Sequence, residues 1–158
     1  MKQKAYEVID ENQENMLKLW QTMVNTESGP GCKEGVDKVG SLLADFFASI
    51  GGKNRFHKFS EAGNMLISEF GDCSKPFIIL TGHMDTVFKS GTITERPFKI
   101  EDGKAYGPGV LDMKGGIVIL SYALKALKEA GWDSYPVKVV LLGDEEVGHA
   151  DSNAPSKI

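Results

Sequence analysis

Apolar positions along this chain fall in two rhythms, and the switch between them predicts alternating helix and strand. Over residues 6–25, Val8, Ile9, Met16, Leu17, Leu19, Trp20, Met23 and Val24 recur at helical spacing, which predicts one helix. Ser28-Gly29-Pro30-Gly31 ends it. A second helix is expected over residues 33–49, with Val36, Val39, Leu42, Leu43, Phe46, Phe47 and Ile50 on one broad face and Gly51-Gly52 past its end. The period then drops to two. Residues 55–59 alternate, residues 64–70 do so less cleanly, and Phe77-Ile78-Ile79-Leu80 is a continuous apolar run, the mark of a strand covered on both faces.

Residues 97–106 predict a hairpin turning at Asp102-Gly103. Residues 113–130 predict the clearest helix, with Ile117, Leu120, Ala123, Leu124 and Leu127 as its buried stripe and Gly131 as its stop. Residues 137–142 predict a second doubly buried strand. Strand, long helix and strand make a βαβ unit, whose crossover is expected to be right-handed. The fold class is α/β, a mostly parallel or mixed sheet flanked by helices. No internal repeat or low-complexity segment interrupts it.

Composition narrows the function classes. A length of 158 residues suits one domain, and 41% hydrophobic with 25% charged residues is ordinary for a globular protein. The net charge of -4 and pI near 5.4 provide no electrostatic footprint for nucleic acid. No apolar run approaches the ~20 residues of a membrane span, and the first residues lack the apolar core of a secretory signal. Cys32 and Cys73 have no CxxC spacing, which predicts free thiols in a reducing, cytoplasmic setting.

Candidate chemistry gathers where the predicted strands run out. In Thr81-Gly82-His83-Met84-Asp85-Thr86-Val87, period-two geometry sends His83 and Asp85 to the same side. That spacing suits a carboxylate that orients an imidazole whose other nitrogen meets a metal, and it equally suits a hydrogen-bonded structural histidine. Asp112 stands in the glycine-rich stretch Tyr106–Gly116, ahead of the long helix, either as an N-cap or as a ligand. The lysine-serine/threonine pair of a phosphate-binding loop is absent there. Asp144-Glu145-Glu146 follows a buried strand, as a solvated loop or as a pair in which one carboxylate binds metal and its neighbour takes a proton from water. Ligands in open α/β sheets collect at the carboxyl ends of strands, so three such clusters suggest one shared site.

Taken together, these residues resemble the M20 family of dinuclear zinc peptidases and deacylases, which includes glutamate carboxypeptidases, aminoacylases, acetylornithine deacetylases and succinyl-diaminopimelate desuccinylases. Gly82-His83-Met84-Asp85-Thr86-Val87, the run from Arg96-Pro97-Phe98 to Tyr106-Gly107-Pro108-Gly109, Asp112-Met113-Lys114-Gly115-Gly116 and Asp144-Glu145-Glu146 match in order. The wording around Ala105–Gly109 is most similar to the glutamate carboxypeptidase-like branch. The resemblance implies that His83 ligates one metal, Asp112 bridges two, and Glu146 ligates the other. Glu145 would be the general base and Asp85 would brace His83. The metals would be two zinc ions, with cobalt or manganese as alternatives. A cis peptide bond after the bridging aspartate, Asp112–Met113, is also implied.

The chain departs from that pattern in length. Family members run to more than twice 158 residues and supply a further carboxylate and a C-terminal histidine, both expected beyond Ile158. His149 and Asp151 do not match those ligand positions. Residues 1–158 therefore read as the N-terminal part of a catalytic domain, without the rest of that domain or the lid domain through which the parent would form a homodimer. The expected activity of the parent is hydrolysis of amide bonds in a small peptide or N-acyl amino acid, the 158-residue chain being inactive alone. The competing reading is a non-catalytic fragment or interaction module that keeps the scaffold.

Overall fold

The computed structural model describes residues 1–132 and 135–147. In chain order its elements are helices α1 (Lys2–Glu11), α2 (Gln13–Val24) and α3 (Lys33–Ser49), strands β1 (Lys53–His57), β2 (Gly63–Phe70) and β3 (Ile78–His83), the short α4 (Thr92–Glu95), the hairpin strands β4 (Lys99–Glu101) and β5 (Lys104–Tyr106), an irregular turn (Val110–Gly115), α5 (Gly116–Glu129), β6 (Val137–Gly143) and a 3-10 turn (Glu145–Val147). The main sheet runs β1-β2-β6-β3. It is mixed: β1 and β2 pair antiparallel, as do β2 and β6, while β3 and β6 run parallel from Ile78↔Val137 to His83↔Leu142. Helices flank this sheet, giving the expected α/β class.

Strand alternation decides which residues meet the helices. Leu66 of β2 and Val139 and Leu141 of β6 join one core with Met23 of α2, Val39, Leu43 and Phe47 of α3, and Ile117 and Tyr122 of α5. Their neighbours Met65, Ile67 and Val140 point the other way and form a smaller cluster with Phe59 and Leu142. Asp102 and Gly103 take positive φ of 50° and 72°, which turns the β4–β5 hairpin where the Asp-Gly pair predicts it. Among the described residues no helix is long and apolar enough to cross a membrane.

Three sequence expectations need correction. The helix expected over residues 6–25 is two helices broken at Asn12. The Asn12 side-chain amide donates to the Val8 carbonyl at 2.8 Å, the acceptor that its own N–H would use in a continuing helix, and that N–H turns to Ile9 instead. The apolar run at Phe77–Leu80 predicts burial on both faces, yet among the described residues β3 is an edge strand paired to β6 alone, with Ile78 and Ile79 44% and 52% exposed. The last long helix begins at Gly116, and its buried face is Ile117, Val118, Ser121, Tyr122, Leu124 and Ala126, while Ala123 is exposed. His149 and Asp151 lie outside the described residues.

Candidate metal centre

The site starts at the carboxyl end of β3. Pairing with β6 carries that strand as far as His83, and the Met84 N–H then donates to Leu142 O at 2.8 Å, so the chain stays against β6 beyond the strand. Met113 packs over Gly82, whose Cβ position is 2.8 Å from the Met113 methyl, and the Met113 sulfur accepts the His83 N–H at 3.2 Å. His83 is buried. Its Nδ1 lies 3.2 Å from the Asp85 carbonyl oxygen and 3.4 Å from Asp85 Oδ1.

Asp85 does a second job. Only 3% exposed, it accepts the Glu145 N–H on Oδ1 at 3.2 Å and the Glu146 N–H on Oδ2 at 2.8 Å. One buried carboxylate therefore ties the loop after β3 to the turn after β6. Sequence spacing suggests the first contact and carries no sign of the second.

Asp112 is brought in by the irregular turn ahead of α5. Gly109 enters that turn at φ 67°, and a Cβ there would fall 2.5 Å from the Thr86 Cγ2, so glycine is needed on both counts. Asp112 itself is extended, at φ -107° and ψ 104°, and its bond to Met113 is cis. The capping position of α5 is Gly115, and no side chain caps it. The N-cap alternative for Asp112 therefore does not hold. Its Oδ1 instead lies 3.1 Å from His83 Nε2, while the side chain is 76% exposed. One oxygen is engaged and the rest of the group faces solvent.

Glu145 and Glu146 complete the cluster. One ligand atom from each of His83, Glu145 and Glu146 falls within 4.8 Å of the others. Asp112 joins this group through its contact with His83, and Asp85 stands behind it. Glu145 is exposed and Glu146 half-buried, whereas the neighbouring Asp144 is buried.

Charge follows from this arrangement. Contact with Asp85 first, and with Asp112 second, outweighs burial and lifts the His83 imidazole to about 9. Both ring nitrogens face carboxyl or carbonyl oxygens, so the ring holds two protons at neutral pH. Burial pushes Asp85 up, but the His83 ring and the Glu146 N–H more than reverse it, and its carboxyl ends below the usual range. Burial, together with the charges of Asp112, Glu145 and Asp85, raises Glu146 despite the opposing charge of His83. A cation would relieve that crowding. The donor set, one imidazole nitrogen with several carboxylate oxygens, is of the kind that holds zinc and similar divalent ions. The contact between His83 Nε2 and Asp112 occupies the lone pair a metal would use, and a metal ion replacing the proton there would keep both partners. The residues fit the group.

One nearby residue escaped the sequence reading. Lys114 is 1% exposed, and its Nζ donates to the Met23 and Thr26 carbonyls at 2.8 and 2.9 Å. Burial draws its ammonium down to about 8. A usable signal existed: a lysine beside the start of a helix opposes the helix dipole and calls for another explanation.

Fold and site together define an α/β protein with a candidate divalent-metal centre at the ends of two parallel neighbouring strands. Residues 79–156 match the family described as Peptidase family M20/M25/M40. Carboxypeptidase G2 of Pseudomonas sp. (strain RS-16) is 32% identical over 146 residues, covering 90% of this chain and 35% of its own. Human carnosine dipeptidase 1 superposes with a TM-score of 0.80 at 22% identity over 94% of this chain and 36% of its own. An M20 family metallo-carboxypeptidase from Sulfolobus solfataricus superposes with a TM-score of 0.72 at 22% identity, covering 85% and 32%. The match to the M20 peptidase family thus covers residues 79–156, and the chain spans about a third of the length of these relatives.

Proposed function

We propose that these residues form part of a metal-dependent amide hydrolase acting on a small peptide, in particular one with a C-terminal acidic residue, or on an N-acyl amino acid. The observation that carries this reading is the convergence of His83, Asp112, Glu145 and Glu146 at the ends of β3 and β6, with Asp85 buried behind them. His83 and Glu146 would each hold one of two zinc ions and Asp112 would serve both, with cobalt or manganese compatible with the same donors. When bound, such an ion acidifies water and polarises a carbonyl.

The chain's own residues do the rest. Asp85 keeps the Nδ1 proton of His83 in place, which leaves Nε2 as the coordinating nitrogen. Glu145, exposed beside Glu146, is free to accept a proton from the attacking water at its carboxylate and to return it to the departing amine nitrogen. The remaining ligands, the residues that read the substrate and a dimerising lid belong, in this reading, to the part of the relatives' length outside the match. Free Cys32 and Cys73 support a cytoplasmic setting.

The test is Glu145→Gln in the complete protein, which keeps shape and removes the proton acceptor. Metal content should stay unchanged while turnover of acyl-amino acids or acidic dipeptides falls about 10²–10⁴-fold. Undiminished turnover would reassign Glu145 to a structural role.

A further inference from the structure

The Asp112 carboxylate is largely exposed, so burial does not hold it in place. Besides its contact with His83, its direction is set by the backbone on either side. On one side Val110 O accepts the Trp20 indole N–H at 3.0 Å. On the other, Lys114 Nζ donates to the Met23 and Thr26 carbonyls. Trp20 and Met23 lie in α2 and Thr26 follows its end, and Met23 O also accepts the Thr26 N–H at 3.1 Å. Both ends of the turn are thus bonded to one helix, and Asp112 sits midway between the two bonds.

The identity of Lys114 needs this kind of explanation. A lysine that is 1% exposed loses hydration that two carbonyl acceptors only partly replace, and an apolar residue would fill such a position at less cost. What an apolar residue lacks is reach with a donor at its end. The four-carbon stem carries the ammonium across to α2, and its three N–H groups can serve more than one carbonyl.

We propose that Lys114 is a positioning residue: together with Trp20 it clamps both ends of the Asp112 turn to α2 and so holds the Asp112 carboxylate against His83. The consequence for metal binding rests on reading His83 and Asp112 as ligands, but the clamp itself is a property of the metal-free chain.

The experiment is a double-substitution cycle read by NMR on the metal-free chain. In the otherwise unchanged protein, Asp112→Asn should move the His83 Nε2 resonance, because the two groups touch. In a Lys114→Met background the same Asp112→Asn change should move it less than half as far, while backbone resonances of β2 and β6 stay in place. An equal displacement in both backgrounds would overturn the clamp. Should Lys114→Met fail to fold, Trp20→Phe keeps an aromatic ring beside Phe98 while removing the N–H donor with the pyrrole half of the indole, and the same comparison decides. A zinc titration of the complete protein, which carries the remaining ligands, runs alongside: no zinc binding there with the coupling intact would sink the metal reading and leave the clamp standing.

Discussion

Replacing Asp85 with Asn separates two roles of one buried group. Asp85 accepts the Glu145 and Glu146 N–H groups on different oxygens and faces His83 Nδ1. Asparagine offers a single acceptor oxygen, so at least one backbone N–H loses its partner or meets another donor. That part should destabilise the chain by about 1–3 kcal/mol at any pH where Asp85 is ionised. The second part depends on pH. His83 titrates near 9 when folded against 6.5 ordinarily, so its stabilisation is complete below 6.5 and lost as pH rises through 9. The whole displacement corresponds to ~3 kcal/mol, shared with the solvent-screened Asp112, which leaves ~1–2 kcal/mol for Asp85. Urea unfolding of the metal-free chain should therefore show a larger loss for Asp85→Asn at about pH 6 than at about pH 9.5, while the His83 titration moves back toward its ordinary value. Equal losses at the two pH values would refute the assignment of the His83 shift to Asp85.

Zinc must displace a proton from His83, so below about 9 its apparent affinity should fall about tenfold per pH unit; calorimetry in buffers of different ionisation heat should find about one proton released per ion, and a pH-independent affinity would remove His83 from the ligand set. His83→Ala should weaken zinc binding by more than the ~10–100-fold typical of an outer hydrogen-bond partner, and Asp85→Asn by about that amount. The 158-residue chain alone should bind zinc weakly and hydrolyse acyl-amino acids or acidic dipeptides at no measurable rate; robust zinc-dependent turnover would show that these residues suffice. The exposed apolar edge at Ile78 and Ile79 should drive self-association of this chain, detectable by sedimentation velocity and reduced by Ile79→Lys; a monomer at all concentrations would contradict it.

What could be read in the sequence depended on how local its cause was. The rhythm of Val36, Val39, Leu43 and Phe47 reports contacts along one helix, and α3 spans residues 33–49 as expected. The Asp-Gly turn carries its own backbone preference and appears at the same place. Asn12 also acts locally, yet its effect lies in a side chain outbidding the backbone for Val8 O, which an apolar pattern does not register. Strand order is the opposite case. Phe77–Leu80 has the composition of an inner strand, and composition describes what would suit each face, whereas exposure depends on which polypeptide is there to cover it.

The site divides along the same line. His83 and Asp85 are two residues apart, so their contact follows from short-range geometry. The acidic run after β6 could be placed near them because two parallel neighbouring strands end on the same side of a sheet. How Asp112 arrives is different, since its backbone is neither helical nor part of a strand and its direction depends on Gly109, Trp20 and Lys114 together. No periodicity encodes that. The glycines in the turn mark tight geometry without saying which way the carboxylate points, and the bonds on either side of it cross about 90 residues of sequence. The site is thus local in its residue types and long-range in its aim, so substitutions in α2, which brings none of the proposed ligands, should disturb the candidate metal centre from a distance.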